Sequence, residues 1–158
     1  MDWDLVFGFV NGLALAGWLL LAALPRSERT LAIVLVGVIA MLCAVYAGLF
    51  AGLVGAFVDP VRDDGGPAPA FEYTVDGLKA MFAARGAIVL GWTHYLAFDL
   101  FAGLWIARDA DTRGVGRLAQ LPFLFATFMA GPIGLLAWLI LRRPLTRRQV
   151  FTGDLLRA

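Results

Sequence analysis

The chain of 158 residues is 61% hydrophobic and 16% charged, with a mean hydropathy of +0.80 and a net charge of +1. A soluble globular domain is about 45–50% apolar and about 25% charged, so this composition excludes an ordinary soluble domain and indicates a membrane protein. The near-zero charge excludes a strongly basic nucleic-acid-binding surface. The length suits one domain, residues 1–158.

Four apolar stretches are long enough to cross a bilayer, which requires about 20 residues. They extend roughly over residues 5–24, 31–58, 86–107 and 118–141. Because the apolar residues run continuously instead of alternating, they predict helices and not the strands of a barrel. The fourth stretch ends at Arg142, Arg143 and Pro144, and residues 142–158 form a basic tail. The expected fold class is therefore all-α, a polytopic membrane protein with four transmembrane helices in a bundle.

A short additional helix is expected before the third span. Residues 59–73 form an acidic loop rich in Pro and Gly, and apolar residues then recur at helical spacing at Val75, Leu78, Met81 and Phe82. Thr74 is a suitable N-cap, and Asp76 in the first turn complements the helix dipole. This pattern predicts a short interfacial helix lying against the bilayer. The alternative is an extension of the third span.

Basic residues occur on both sides of the four predicted spans, so the charge pattern leaves the orientation open. The 13 basic residues comprise twelve Arg and one Lys, and Ala and Gly are abundant, which is typical of a GC-rich bacterial gene. The N-terminal residues Met-Asp-Trp-Asp are typical of neither a signal peptide nor a transit peptide. We therefore expect a bacterial inner (cytoplasmic) membrane location.

Two titratable side chains, His94 and Asp99, interrupt the apolar third span in the stretch GWTHYLAFDLFAGLWIARD. Ionisable residues inside a span are functional by default, although they also serve to pair neighbouring helices. At about 100° per residue, the two side chains lie some 140° apart around the helix, so they either line one cavity from its two edges or face different neighbouring helices. Gly103, one turn after Asp99, is expected to let another backbone approach the carboxylate.

Counting from the centre of each span places other polar side chains at similar depths near the midplane. Asn11 and Tyr46 fall in one layer with His94, whereas Thr127 falls in the next layer with Asp99. Each of these residues also has a structural interpretation, since buried Asn and Thr frequently only join helices.

The fourth stretch contains the sequence GPIG at residues 131–134. Pro132 lacks an N–H, so the carbonyl of Phe128 loses its usual donor and a kink is expected there. A free carbonyl at this depth needs a partner or a wet cavity. We therefore expect a pocket with His94 and Asp99 as catalytic residues, lined by Asn11, Tyr46, Trp92, Tyr95, Thr127 and Pro132.

The residue inventory excludes several chemistries. One histidine cannot supply the ligands of a membrane di-iron enzyme, and no carboxylate-rich helix pair offers another metal cage. No Gly-rich dinucleotide fingerprint or phosphate-binding loop is present, and the only serine, Ser27, lies in a predicted loop. We expect no metal and no cofactor. Proton transfer by an imidazole and a carboxylate in a low-dielectric pocket remains, and it fits a redox-neutral isomerisation.

Three motifs together carry a family resemblance: Trp92-x-His94, then Asp99-Leu100-Phe101, then Gly131-Pro132-x-Gly134. With residues 11–26 and the segment before the third span, they make the chain similar over nearly its whole length to the ABA4-like family, which includes the plant neoxanthin synthase. The resemblance implies a plastid or bacterial membrane protein of about four spans. It also implies epoxide opening of a carotenoid without net redox change, with Asp99 and His94 as acid and base in an order left open.

Three functions follow as alternatives. The first is a redox-neutral isomerase of a carotenoid or similar isoprenoid. The second is a non-catalytic subunit that binds pigment or lipid or assists assembly of a membrane complex. The third is a small transporter, which is disfavoured because four spans with one midplane acid supply few groups to line a transport pathway. The expected partners are membrane lipid, a carotenoid or isoprenoid ligand, and a second copy or a partner membrane enzyme, with no nucleic acid.

Overall fold

The computed structural model describes residues 1–59, 61 and 72–155. Most of these residues are helical, and no strand occurs among them, which confirms the all-α prediction. The elements in chain order are α1 (Trp3–Ala23), α2 (Glu28–Ala32), a π-helical segment (Ile33–Ile39), α3 (Ala40–Val54), α4 (Val75–Met81), α5 (Arg85–Thr112), α6 (Arg117–Met129) and α7 (Gly131–Leu155).

Three helical stretches are long and apolar enough to cross a membrane, namely Trp3–Ala23, Glu28–Val54 and Arg85–Thr112. The second stretch comprises α2, the π-helical segment and α3, which follow one another without a gap. These three stretches correspond to the first three predicted spans. Two ends of the bundle are therefore defined: the first end, which includes Asp4 and Arg85 (2.7 Å apart), and the second end, which includes Arg26 and Asp111 (2.9 Å apart).

The fourth predicted span is a helical hairpin instead of one continuous helix. α6 ends at Met129, and Ala130 leaves the helical region with φ −159° and ψ 83° before α7 begins at Gly131. α7 then returns alongside α6, since the Trp138 ring lies 5.3 Å from the Phe123 ring. The expected kink at Pro132 is thus a reversal of the chain, because a proline in the first turn of a helix needs no N–H and can begin a new helix there.

The hairpin changes the course of the C-terminal segment. Arg142 and Trp138 both reach Asp109 near the end of α5, at 3.5 Å and 3.0 Å, so α7 runs back toward the second end. The helix also continues through Pro144 to Leu155, although Pro144 was expected to end it. Trp138 and Arg142 of α7 therefore lie near the second end of the bundle, where Arg26 also lies.

Helix α4 is a separate element. The Thr74 hydroxyl accepts a hydrogen bond from the Gly77 N–H at 3.0 Å, which confirms the predicted cap, and Asp76 occupies the first turn. The helix ends at Phe82, and Ala84 is extended (φ −92°, ψ 132°) before α5 begins. This break excludes the alternative in which α4 merely extends the third span.

Helix α5 is the centre of the bundle and packs against α1, the π-helical segment, α3, α6 and α7. Leu100 on its buried face lies so close to α1 that a Cβ at Gly17 would be 2.5 Å from Leu100 Cδ2. The outer faces of the helices carry large exposed apolar side chains, among them Leu19, Val36, Phe98, Phe125 and Ile133. Such an apolar exterior is what lipid-facing helices require.

Candidate functional site

Asp99 lies on the buried face of α5, with 7% of its surface exposed. Its carboxylate meets the tip of the α6–α7 hairpin so closely that a Cβ at Gly131 would overlap Asp99 Oδ1. Only a residue without a side chain fits there. Asp99, Tyr95 and Gly131 are together called the Asp99 site. The expectation that Gly103 provides this close approach is wrong, because Gly103 instead accommodates the Trp18 ring of α1.

The Asp99 site places a carboxylate at the start of a helix. The Gly131 N–H and the Tyr95 hydroxyl face the carboxylate, while Asp99 Oδ2 has no hydrogen-bond partner among the described residues. None of the ion pairs in the described part of the chain includes Asp99. The N-terminal end of a helix carries partial positive charge, so α7 stabilises a negative charge at Asp99 without a cationic side chain.

Tyr95 also satisfies a backbone group that the chain reversal leaves free. Its hydroxyl donates to the Met129 carbonyl at 3.3 Å, and that carbonyl has lost its helical donor because the Ile133 N–H bonds to Ala130 instead. A partner for a free carbonyl was expected here, but on Phe128. The reversal at Ala130 moves the need to the last residue of α6.

An aromatic and polar surface extends from Tyr95 toward the first end of the bundle. Tyr95 stacks on Trp92 with 5.3 Å between ring centroids, and Trp92 in turn lies 5.9 Å from Phe7. The Trp92 Nε1–H donates to Asn11 Oδ1 at 3.0 Å, and Asn11 donates to the Phe7 carbonyl at 2.7 Å. Phe7 and Trp92 are about 40% exposed. We call Phe7, Asn11, Trp92 and Tyr95 the aromatic surface.

His94 lies on a different face of α5 from Asp99. Its side chain is exposed, and its ring packs 4.6 Å from Phe98 and 5.5 Å from Tyr46. The structure therefore groups Asn11, Trp92 and Tyr95 with Asp99, and it groups Tyr46 with His94. In this structure His94 and Asp99 do not line one pocket, because the 140° between them points Asp99 inward and His94 outward. They face different neighbours, which is the second of the two arrangements that the sequence allowed.

The remaining predicted lining residues build the hairpin itself. Thr127 is fully buried, and its hydroxyl donates to the Phe123 carbonyl at 2.7 Å. A Cβ at Gly134 would overlap the Thr127 backbone, so the second glycine of the GPIG sequence lets the two arms touch. Pro132 occupies the first turn of α7. These residues shape the tip that contacts Asp99.

A second polar cluster, missed in the sequence, lies at the second end of the bundle. Arg26 Nη1 donates to Asp111 Oδ1 at 2.9 Å and to Gln120 Oε1, and Gln120 Nε2 donates to Asp111 Oδ1 at 2.9 Å. Burial is the main cause that lowers the pKa of Arg26, and Asp111 opposes that shift. Arg26, Asp111 and Gln120 are called the Arg26 cluster. The sequence feature that could have indicated this cluster is Gln120, a polar residue inside an apolar run.

A groove of about 330 Å³ runs between α1 and α6. All of its lining residues are apolar: Leu15, Trp18, Leu19, Ala22, Leu121, Leu124, Phe125 and Phe128. Trp18 and Phe128 meet edge to face at 5.6 Å near the hairpin tip. Because Ala22 and Leu121 lie near the second end, the α1–α6 groove extends from that end toward the middle of the bundle.

Among the described residues, no three His, Cys, Asp or Glu side chains come together in a way that could hold a metal ion. The chemistry that this site offers on its own is therefore proton transfer and hydrogen bonding by Asp99 and Tyr95.

The family model ABA4-like, described as ABA DEFICIENT 4-like, matches residues 5–138. That range begins within the first turn of α1 and extends through α6, the hairpin tip and the Asp99 site. Neither the curated proteins nor the solved structures contain a match to the chain.

Proposed function

The chain belongs to the ABA4-like family, and on that premise we propose that it is a membrane isomerase that rearranges a carotenoid or similar isoprenoid without net redox change. The observation that carries this proposal is the buried Asp99 carboxylate at the start of α7, with Oδ2 unpartnered among the described residues. Burying a carboxylate in a membrane span without a cationic partner costs free energy, and such residues are usually functional. Here α7 and Tyr95 support it while one oxygen stays available.

The proposed chemistry divides the two proton transfers between neighbouring groups. Asp99 acts as the base and takes a proton from a carbon next to the epoxide, because its Oδ2 has no hydrogen-bond partner among the described residues. The epoxide C–O bond opens, and the oxygen takes a proton from the Tyr95 hydroxyl. Tyr95 is reprotonated at the expense of Asp99, so one proton is lost and one gained, and the product is an isomer.

The aromatic surface is the proposed substrate platform. A polyene is flat and apolar, and it stacks on aromatic rings such as Trp92 and Phe7, which are exposed beside the hairpin tip. A chain lying there would bring its end group to Tyr95 and Asp99. His94 stays a prediction as a second acid–base group, on the outer face with Tyr46 and Phe98. It can act only on a substrate that lies against that face.

The test uses a carotenoid-producing bacterium that accumulates epoxy-carotenoids and expresses the full chain. We expect pigment chromatography to show a new isomer with the native protein, none with Asp99→Asn, and a strongly reduced yield with Tyr95→Phe. Asp76→Asn on the exposed start of α4 is the matched control and should retain the isomer. Comparable protein levels in the membrane fraction are required for each variant. An unchanged profile with the native protein would remove this activity.

A second function, pigment binding without turnover, is supported by the same aromatic surface. It predicts that a carotenoid co-purifies with the protein and that Asp99→Asn leaves this binding intact. Loss of co-purification in Trp92→Ala, with no isomer formed by the native protein, would favour binding over catalysis. A second copy or a partner membrane enzyme would then receive the pigment.

We further infer that the α6–α7 hairpin is re-entrant, so that the chain crosses the membrane three times. α6 has 13 residues and is about 20 Å long, which is too short for a hydrocarbon core of about 30 Å. With α7 returning, one end carries most of the cations: Arg26, Arg29, Arg108, Arg113, Arg117, Arg142 and Arg143. Among the residues that the structure describes, the other end carries Lys79 and Arg85. The positive-inside rule then places the arginine-rich end in the cytoplasm.

Cysteine labelling distinguishes this topology from four crossings. In a Cys43→Ser background, single cysteines are introduced as Ser27→Cys, Arg143→Cys and Asp76→Cys and treated with a membrane-impermeant maleimide on intact cells. A re-entrant hairpin predicts protection at Ser27→Cys and Arg143→Cys and labelling at Asp76→Cys. Labelling of Arg143→Cys together with Asp76→Cys would instead support a fourth crossing.

A further inference from the structure

The α1–α6 groove ends beside an exposed arginine. Arg117 precedes Leu121 of the groove by one helical turn, and its Nη2 donates to the carbonyls of Ala22 (3.2 Å) and Leu24. Since Ala22 itself lines the groove, the guanidinium lies at the groove's outer end. Helix α6 starts after Gly116 without a side-chain cap, so the positive end of its dipole lies next to Arg117.

Arg26 adds a second positive charge at this end. Its side chain is 4% exposed, and its Nη2 has no hydrogen-bond partner among the described residues. Arg117 lies near enough to act on the Arg26 charge. Asp111 is the carboxylate that contacts Arg26, whereas Arg117 bonds to backbone carbonyls. None of the ion pairs in the described part of the chain includes Arg117. The neighbouring Asp109 is already engaged by Arg113 at 2.8 Å and by Arg142.

The two features together form an amphipathic site. From Leu15 to Ala22 the groove follows α1 over a rise of about 10 Å, and its walls are apolar throughout. An arginine fork binds phosphate through paired N–H bonds, and basic pockets between membrane helices hold anionic lipid headgroups. The charge and the groove therefore call for a molecule with an anionic head and an apolar chain.

We propose that the α1–α6 groove holds one acyl chain of an anionic phospholipid, whose phosphate binds Arg117 next to Arg26. The lipid covers the face of α6 that lines the groove, and its phosphate neutralises the excess positive charge at the start of that helix. This site uses neither Asp99 nor the aromatic surface, so it is independent of the proposed isomerisation.

The experiment is native mass spectrometry of the full-length protein, delipidated in detergent and titrated with phosphatidylglycerol or phosphatidylcholine of identical acyl chains. We expect phosphatidylglycerol to be retained about fivefold more strongly, and Arg117→Gln to lower its retention by about fivefold. The matched control is Arg113→Gln, because Arg113 is paired with Asp109 on its own helix. That variant should retain the lipid like the native protein.

A second pair of variants tests the groove without touching the arginines. Leu19→Trp fills the groove and should abolish retention, whereas Val36→Trp on an exposed face outside it should not. Equal retention of both lipids, or an equal loss in Arg113→Gln, would overturn the proposal. Inorganic phosphate alone is the further probe: if it displaces phosphatidylglycerol at millimolar concentration, the site is one for free anions and the lipid proposal fails.

Discussion

The α6–α7 hairpin has a tip at Ala130 and Gly131 and a base at the start of α6, beside the Arg26 cluster. Both place a carboxylate of α5 against buried polar groups, but they do so in opposite ways. At the base, Asp111 accepts bonds from Arg26 and Gln120, each 2.9 Å long. At the tip, Asp99 has no cation, and its Oδ2 lacks a partner among the described residues. The polar groups at the base are hydrogen-bonded to one another, whereas one carboxylate oxygen at the tip has no partner in the part of the chain that the structure describes. Buried polar groups that satisfy one another stabilise the fold, and those left open are candidates for chemistry.

The largest expected effect comes from forcing the two arms of the hairpin apart. In Gly134→Ala the new Cβ would overlap the backbone of Thr127, and backbone cannot yield as a flexible side chain does. We expect the free energy of unfolding in detergent to fall by about 3 kcal/mol. The matched control is Gly12→Ala, whose Cβ meets nothing within 4 Å, and it should be neutral or slightly stabilising. Equal melting of the two variants would contradict a closed hairpin.

The second effect tests the base. Gln120→Leu keeps the volume but removes the acceptor for Arg26 and the donor for Asp111, so both charged groups lose a buried partner. The expected loss is about 2 kcal/mol in the free energy of unfolding. Arg113→Gln, which breaks a solvent-screened ion pair within one helix, should cost much less than Gln120→Leu. If the hydrogen bonds at the base did not stabilise the fold, the two variants would have the same free energy of unfolding.

A smaller effect is expected at the tip from Tyr95→Phe. The variant loses the hydrogen bond to the Met129 carbonyl, and such bonds between membrane helices contribute about 0.6 kcal/mol on average. Thermal unfolding in detergent should therefore shift only slightly. The proposed isomer yield should fall far more than stability does. If the free energy of unfolding fell as much as in Gln120→Leu, the hydrogen bonds at the tip would stabilise the fold as those at the base do.

The smallest effect on stability is expected from Asp99→Asn. The substitution preserves the shape that fits against Gly131, and Oδ2 has no bond among the described residues to lose. We expect a change below about 0.5 kcal/mol in the free energy of unfolding. The same variant should lose the isomer completely. A large destabilisation would assign Asp99 to the fold, and the contrast between tip and base would disappear.

Much of this architecture could be predicted from local patterns. Three spans, the Thr74 cap and the separation of His94 from Asp99 around α5 follow from continuous apolar runs, capping chemistry and helical periodicity. The Asp99 site was only partly predictable. Asn11, Trp92 and Tyr95 were named with it, but so were His94 and Tyr46, because depth along a helix does not say which neighbour a side chain faces.

By itself, then, the sequence determined the membrane class, the helices and the presence of an unusual acid in a span, because hydropathy and capping act over short stretches of chain. The tertiary structure decided that residues 118–141 fold back on themselves, since that choice rests on the fit of Gly134 against Thr127 and of Gly131 against Asp99. Both contacts join residues that no periodicity relates. The same reversal brings Arg142 to Asp109 and gathers the arginines at one end, because packing between distant helices sets which end each charge reaches.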